Sequence, residues 1–155
     1  MIFVPYTEIQ TATKVALIGY DYKPVKVEGE YGYGEFFRER WKEGKSFIVI
    51  EHDCVPWPGA IEALMKCEEP WCAHNYGLPC HRENPALSGA GIPLGCTKIG
   101  ARLIEETPGI WDAPVDWSHC DQQIPKYALR KVHQHFPGII NANPQSLGVY
   151  AIDWP

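Results

Sequence analysis

The sequence predicts an α/β fold, with a Rossmann-like β-α-β-α-β first half and a mostly parallel, mixed central sheet flanked by helices. Three observations predict it. Charge-free apolar segments, Met1-Ile2-Phe3-Val4 and Ser46-Phe47-Ile48-Val49-Ile50, alternate with stretches of helical periodicity inside the first sixty residues. Such alternation implies parallel strands joined by right-handed crossovers. At 155 residues, 45% hydrophobic and 12% aromatic, the chain is long enough for one well-packed core and short for two. Residues 1–155 therefore read as a single domain, with no internal repeat, low-complexity tract or linker.

Met1 to Val4 is a short apolar strand, after which Pro5-Tyr6-Thr7 turns the chain into a helix. Thr7 followed three residues later by Gln10 is a capping box, in which each side chain satisfies the other's backbone N–H. Ile9, Ala12 and Ala16 line one face of that helix and Gly19 stops it. Val25 and Val27 alternate with lysines as a second strand. Glu28 to Gly34 is too glycine-rich for regular structure and reads as a loop. A helix from about Glu35 to Glu43 sets Phe37 and Trp41 four residues apart on a core-facing side, with Gly44 closing it. Ser46 to Ile50 is the third strand.

The second half is less regular. Pro58-Gly59 opens a helix with Ile61, Leu64 and Met65 on its buried side, and Pro70 to Ala73 forms a strand. Between Tyr76 and Pro93 the prolines, glycines, Asn84 and Ser88 predict a long loop, and long loops inside compact domains are often functional. Ile92 to Leu94 reads as a further strand, and Thr97 caps a helix running to about Glu106 and ended by Pro108-Gly109. Trp111 to Trp117 is a loop. The last helix begins near Asp121, tolerates Pro125 in its first turn, and carries Tyr127, Leu129 and Val132 up to His133 and His135.

A net charge of -5 argues against a general nucleic-acid binder, which displays a basic face. No apolar run reaches membrane-spanning length, and Met1 to Pro5 is too short and lacks the basic start of a secretory signal, so the expectation is a cytoplasmic protein. Its six cysteines are then expected as reduced thiols. Cys67, Cys72 and Cys80, with His74 and His81, carry the atoms for zinc, in a spacing that matches no paired C-x2-C framework. Cys54 reads as core packing.

The third strand ends in Glu51-His52-Asp53. Side chains two apart on an extended backbone share a face, so the two carboxylates can converge on one cation while His52 points away. Manganese or magnesium suits such an oxygen-rich site. The plainer reading is that the acids mark the strand's exit into solvent.

Taken together, Phe3-Val4-Pro5-Tyr6-Thr7, the glycine-led helix before the acidic strand, Glu51-His52-Asp53, Pro58-Gly59-Ala60-Ile61 and Cys120-Asp121 resemble the nucleotide-sugar-dependent glycosyltransferases of the GT-A fold, in a short, family-2-like form. The resemblance runs from Phe3 to about Asn143; that family usually writes the acid pair D-x-D, and here it is E-x-D. It implies a metal-dependent enzyme moving a sugar from a nucleoside-diphosphate sugar, UDP-linked by preference, to an acceptor hydroxyl. Asp53 is the implied first ligand of Mn2+ or Mg2+, Glu51 reaches the metal through water or holds the ribose, and His135 supplies a late ligand. Two histidines spaced i, i+2 do not share a helical face, so only one serves if the last helix still runs there. Base and ribose are implied to lie over Pro5, Tyr6, Thr7 and Glu28, with Gly34 admitting close backbone approach and Arg38 facing the phosphates. Asp121 matches the base of inverting members, and Trp117, four residues before it, offers a face to an acceptor sugar. Thr7 and Asp121 also read as helix caps, and Arg38 as an exposed charge on an amphipathic helix. So short a chain implies a polymeric acceptor or a second copy completing the site. Two alternatives remain at this level: a zinc-binding Cys/His module that docks another protein, and a metal-dependent nucleotide hydrolase or phosphoryl-transfer enzyme, although no G-x-x-x-x-G-K-[ST] loop is present.

Overall fold

The computed structural model describes residues 1–76, 94–128 and 132–141. Strand β1 (Ile2–Tyr6) is followed by α1 (Thr11–Ala16), β2 (Tyr22–Lys26), α2 (Gly32–Glu43) and β3 (Phe47–Ile50), the β-α-β-α-β order expected. Then come β4 (Cys54–Pro56), α3 (Ala60–Lys66), β5 (Trp71–Tyr76), β6 (Cys96–Ile99), α4 (Ala101–Glu106), a single 3-10 turn (Trp117–His119), α5 (Cys120–Tyr127) and β7 (His133–Asn141).

Among the described residues the strands form one seven-stranded sheet in the order β2-β1-β3-β6-β5-β7-β4. β1 pairs parallel with both β2 and β3, β5 pairs parallel with β7, and the β3–β6, β5–β6 and β4–β7 pairs are antiparallel. Because β3 and β5 both oppose β6, they share a direction. Strands β2, β1, β3, β5 and β7 thus run one way and β6 and β4 the other, a mixed sheet with a parallel majority.

Alternation along the strands separates two apolar faces, as the pleat requires. Phe3, Phe47, Val49, Trp71 and Ile99 point to a layer holding Phe36, Phe37 and Trp41 of α2, Leu103 and Ile104 of α4 and Ile124 of α5. Ile2, Val4, Ile48, Ile50, Cys72, Cys96 and Ile139 point to the other layer, with Leu17 beyond α1 and Ile61 and Leu64 of α3. Helices therefore cover both faces. Phe37 stacks on Trp111 with centroids 4.7 Å apart at 13°, and the Trp41 indole donates to the Thr107 carbonyl at 3.1 Å. Gly44 closes α2 in the left-handed conformation at φ 65°. Among the described residues no helix is long and apolar enough to cross a membrane.

Several expected boundaries move, each for a physical reason. Thr7 is exposed and does not cap α1, which starts four residues later. The Gln10 N–H is committed to the His52 carbonyl at 2.9 Å, tying residues before the helix to the end of β3. Thr13 and Leu17 face the core instead of Ala12, which is exposed. Met65 is likewise 53% exposed on α3. Thr97 lies inside β6 and its hydroxyl donates to the Cys72 carbonyl at 2.9 Å, so a residue read as a cap is a satisfied polar group of the sheet. α5 ends at Tyr127, with Ala128 already extended, and Val132 is outside it; His133 and His135 belong to a strand. The predicted 76–93 loop beyond Tyr76, the strand at Ile92 and Pro93, and Leu129 lie outside the described residues.

The largest shift concerns the end of the glycine-rich segment: residues 28–31 are irregular as expected, but Gly32-Tyr33-Gly34 is the first turn of α2 and not a loop. Glycine there serves close approach. A Cβ on Gly34 would stand 2.3 Å from the Val115 carbonyl oxygen, and one on Gly32 3.3 Å from the Val27 carbonyl carbon. Helix α2 can sit against the 111–116 segment only if position 34 has no side chain. Gly34→Ala is therefore expected to destabilise the protein by about 1–3 kcal/mol, the usual cost of overpacking. Urea denaturation measures this, and a variant as stable as the parent would show that the contact is not tight.

Candidate functional site at the carboxyl end of β3

Strand β1 lies between β2 and β3, with α1 on one face of the sheet and α2 on the other. The crossovers therefore diverge on either side of β1, and in open α/β sheets ligands settle in the crevice at the carboxyl ends of such a pair. The residues leaving β1 there are Tyr6 and Thr7, and those leaving β3 are Glu51 to Cys54.

The ligand atoms of Glu51, Asp53 and Cys54 lie within 4.8 Å of one another. Their convergence has a different cause from strand alternation. The Cys54 N–H donates to the Glu51 carbonyl at 3.0 Å, so residues 51–54 form a tight turn, and β3 leads through it into the short β4. Glu51 and Asp53 are half-buried, and Cys54 is fully buried in the α1/α3 layer. His52 is half-buried too, its carbonyl taken by Gln10.

Two side chains from distant parts of the chain join this turn. The Tyr33 hydroxyl donates to Glu51 Oε1 at 2.6 Å, and burial, followed by the Glu51 charge and this hydrogen bond, pushes its phenol well above the usual range. The Asp121 charge acts on the same phenol and also raises it. Asp121, in the first turn of α5, accepts the Leu94 N–H at 3.2 Å. Burial raises its carboxyl above the ordinary 3.8, and the Leu94 hydrogen bond opposes this in part. Asp121 thus joins the Glu51 neighbourhood as a half-buried, more basic carboxylate. It is not the N-cap of α5, a place held by His119. Sequence reasoning missed Tyr33 because its glycine neighbours read as loop; taking α2 to start at Gly32 would have placed it one turn from Phe36 and Phe37 and facing the sheet.

The other expected residues scatter. Pro5 is buried within β1 and Tyr6 half-buried at its end, its carbonyl accepting the Val27 N–H at 2.9 Å. Glu28 is exposed and paired with Lys26 at 2.5 Å, a contact that holds its carboxyl below the usual value. Gly34 is packed against Val115, so its open α-carbon faces protein and not a ligand. Arg38 pairs with Glu35 at 3.4 Å and lines a groove with Tyr31, Trp111, Pro114 and Val115, on the helix side away from the sheet edge. Trp117 is 71% exposed, on the turn just before α5, its N–H held by the Glu30 carbonyl at 3.1 Å. Trp71 and Trp111, by contrast, are core.

His135 does not join Asp53. Cys54 pairs with Asn141 at the far end of β7, six residues from His135, which at strand rise is roughly 20 Å. His135 instead gathers with Cys67, Cys72 and His133, whose ligand atoms also lie within 4.8 Å of one another. His74, expected among the zinc candidates, bonds the Ala60 carbonyl at 2.9 Å through its ring, and Cys80 and His81 lie outside the described residues.

No family model matches the chain, and no curated protein matches it. It is similar to the crystal structure of A197 from STIV at 14% identity and a TM-score of 0.48, over 69% of this chain and 67% of that chain. The likeness is too distant to carry function.

The Asp121 shift has a signed consequence. A buried carboxyl with a raised value holds its proton more tightly folded than unfolded. Its favourable contribution is therefore present below 3.8 and lost as pH rises through the folded value. Asp121→Asn keeps an acceptor for Leu94 without the charge. Its melting temperature is expected to gain on the parent across that window and to equal or exceed it at neutral pH, measured by thermal melts across pH. A variant that melts lower at neutral pH would show the carboxylate to be stabilised in place.

Proposed function

We propose that this protein is a divalent-cation-dependent glycosyltransferase, moving a sugar from a nucleoside-diphosphate sugar to an acceptor hydroxyl with inversion. The observation that carries this reading is the convergence of Glu51 and Asp53 in the turn at the carboxyl end of β3, with Glu51 bonded to Tyr33 and the Asp121 charge acting on that same phenol. A cation-binding acid turn and a carboxylate suited to accept a proton are the two parts that such a transfer requires. The GT-A resemblance of the sequence implies these parts for Glu51, Asp53 and Asp121.

The donor set fits a hard cation. Two carboxylates converge in one half-buried turn, and oxygen ligands of this kind suit Mn2+ or Mg2+. Asp53 would hold the ion, with Glu51 assisting, and the ion would supply Lewis-acid neutralisation of the departing diphosphate. Tyr33 fixes the Glu51 carboxylate by its hydrogen bond. Asp121 takes the proton of the acceptor hydroxyl as it attacks, a task that favours a carboxylate whose pKa has been raised toward neutrality. Trp117 presents an exposed indole close in sequence to that base, and aromatic faces stack on sugar rings. Tyr6 and Thr7 border the crevice where the nucleotide would lie, a UDP-sugar by preference. The acceptor we favour is polymeric, or the site is completed by a second copy of the chain.

A thermal-shift panel of nucleoside diphosphates and nucleotide sugars, with and without manganese, tests the reading. Selective stabilisation by one nucleotide that requires the metal is expected, and Asp53→Ala should abolish it. Asp121→Asn should keep that response while transfer falls by about 10²–10⁴, the usual contribution of a positioned general base. No nucleotide response with any donor would overturn the proposal, donor hydrolysis without transfer would favour a hydrolase, and retained transfer in Asp121→Asn would remove that residue as base.

A further inference from the structure

The second group of metal-ligating side chains lies at the other end of the sheet. Cys72 is the second residue of β5 and His133 the first of β7, paired in register as Cys72↔His133 on parallel neighbours. His135, two residues further along β7, shares the face of His133 because strand side chains alternate. Cys67 caps the carboxyl end of α3, the helix packed on that face, and so closes the group from above. Three separate elements deliver these four side chains.

The geometry points to a structural zinc ion held by Cys67, Cys72, His133 and His135. In tetrahedral zinc with two sulfur and two nitrogen ligands, bond lengths near 2.3 and 2.0 Å put neighbouring ligand atoms about 3.3–3.8 Å apart. Here all four ligand atoms fall within 4.8 Å of one another, and Cys67 Sγ is 3.2 Å from His133 Nδ1, so closure onto an ion needs only small side-chain movements. His135 Nε2 is buried and has no hydrogen-bond partner among the described residues, a cost that coordination in this group would remove. Burial grades from Cys72, fully enclosed, through half-buried Cys67 and His135 to exposed His133, which gives an ion a path in.

The spacing explains why the site is hard to read along the chain. Cys67 and Cys72 have four residues between them, inside the usual cysteine spacing, but the histidines are separated by one residue where helical sites need three to five. A strand meets the same requirement with alternate residues. Four protein ligands leave no open position, which is the arrangement of structural and not catalytic zinc. The site is also remote from the acid turn, since His133 and the Asn141 paired with Cys54 stand at opposite ends of the nine-residue β7, roughly 25 Å apart. Its role is mechanical. The ion ties β7 to the α3–β5 connection, fastening at its amino end the strand whose other end pairs with β4 just beyond the acid turn. The inference is independent of the proposed glycosyl transfer.

The test is metal analysis of the full chain purified under reducing conditions with zinc in the growth medium. One zinc per chain that survives dialysis against EDTA and is released by a mercurial reagent is expected. Asp53→Ala should retain it, whereas Cys67→Ser and His133→Ala should lose it and melt at lower temperature. If those variants fail to fold, cobalt titration of metal-stripped parent protein decides, with thiolate-to-cobalt charge-transfer absorption and intense tetrahedral visible bands expected at one equivalent. Protein that binds neither metal, a cobalt spectrum without thiolate bands, or a Cys67–Cys72 disulfide in freshly purified reduced protein would each overturn the assignment.

Discussion

The hydrogen bond from Tyr33 to Glu51 is the contact on which the candidate site depends, because it joins the sheet edge to the helical layer that also carries Asp121. β3 is buried at all four of its residues and carries no charge, so ionisable chemistry begins only where it ends. There Glu51 meets a phenol supplied by the first turn of α2. That turn can reach the sheet edge because Gly34 lets α2 settle on the Val115 carbonyl, and the same 111–116 segment leads into Trp117 and α5. One glycine contact thus sets the relation between the acid turn and the proposed base.

Much of this was legible in the sequence. The uncharged run before Glu51, the β-α-β-α-β alternation and the Phe37/Trp41 face all describe what the fold uses, since strand and helix periods are local properties. Glu51 and Asp53 stand out in the sequence as an acid pair at a strand end, and in the fold their ligand atoms do converge, together with that of Cys54. What escaped was long-range. Gly32 and Gly34 looked like loop because glycine signals flexibility unless the neighbour it makes room for is known, and that neighbour lies some eighty residues away at Val115 for Gly34. Thr7 and Thr97 looked like caps because a hydroxyl before an apolar stretch satisfies that pattern. In the fold, Thr97 is consumed by a sheet carbonyl, and the residues between Thr7 and α1 are tethered by the Gln10–His52 bond. Whether His133 and His135 share a face stayed open in the sequence because it depends on whether the chain there is helix or strand, and pairing with β5 decides for strand.

The two groups of possible ligands divide by chemistry as well as position. Carboxylates at the carboxyl ends of the strands favour hard cations that exchange readily with phosphate-bearing ligands, while thiolates and imidazoles at the amino end favour zinc held tightly. A single chain can hold both because about 25 Å of β7 separates them. The inferred zinc fastens one end of that strand, and the pairing of β4 with its other end keeps the acid turn in place.

The proposed transfer stands or falls on a cation bound at the tip of β3, where it would neutralise a departing diphosphate. Crystals grown with manganese and a nucleoside diphosphate test it most directly, through the anomalous signal of the metal. A manganese peak is expected within coordination distance of the Asp53 carboxylate, bridging to the diphosphate between β1 and β3. Manganese and nucleotide both bound elsewhere, with Asp53 touching neither, would contradict it.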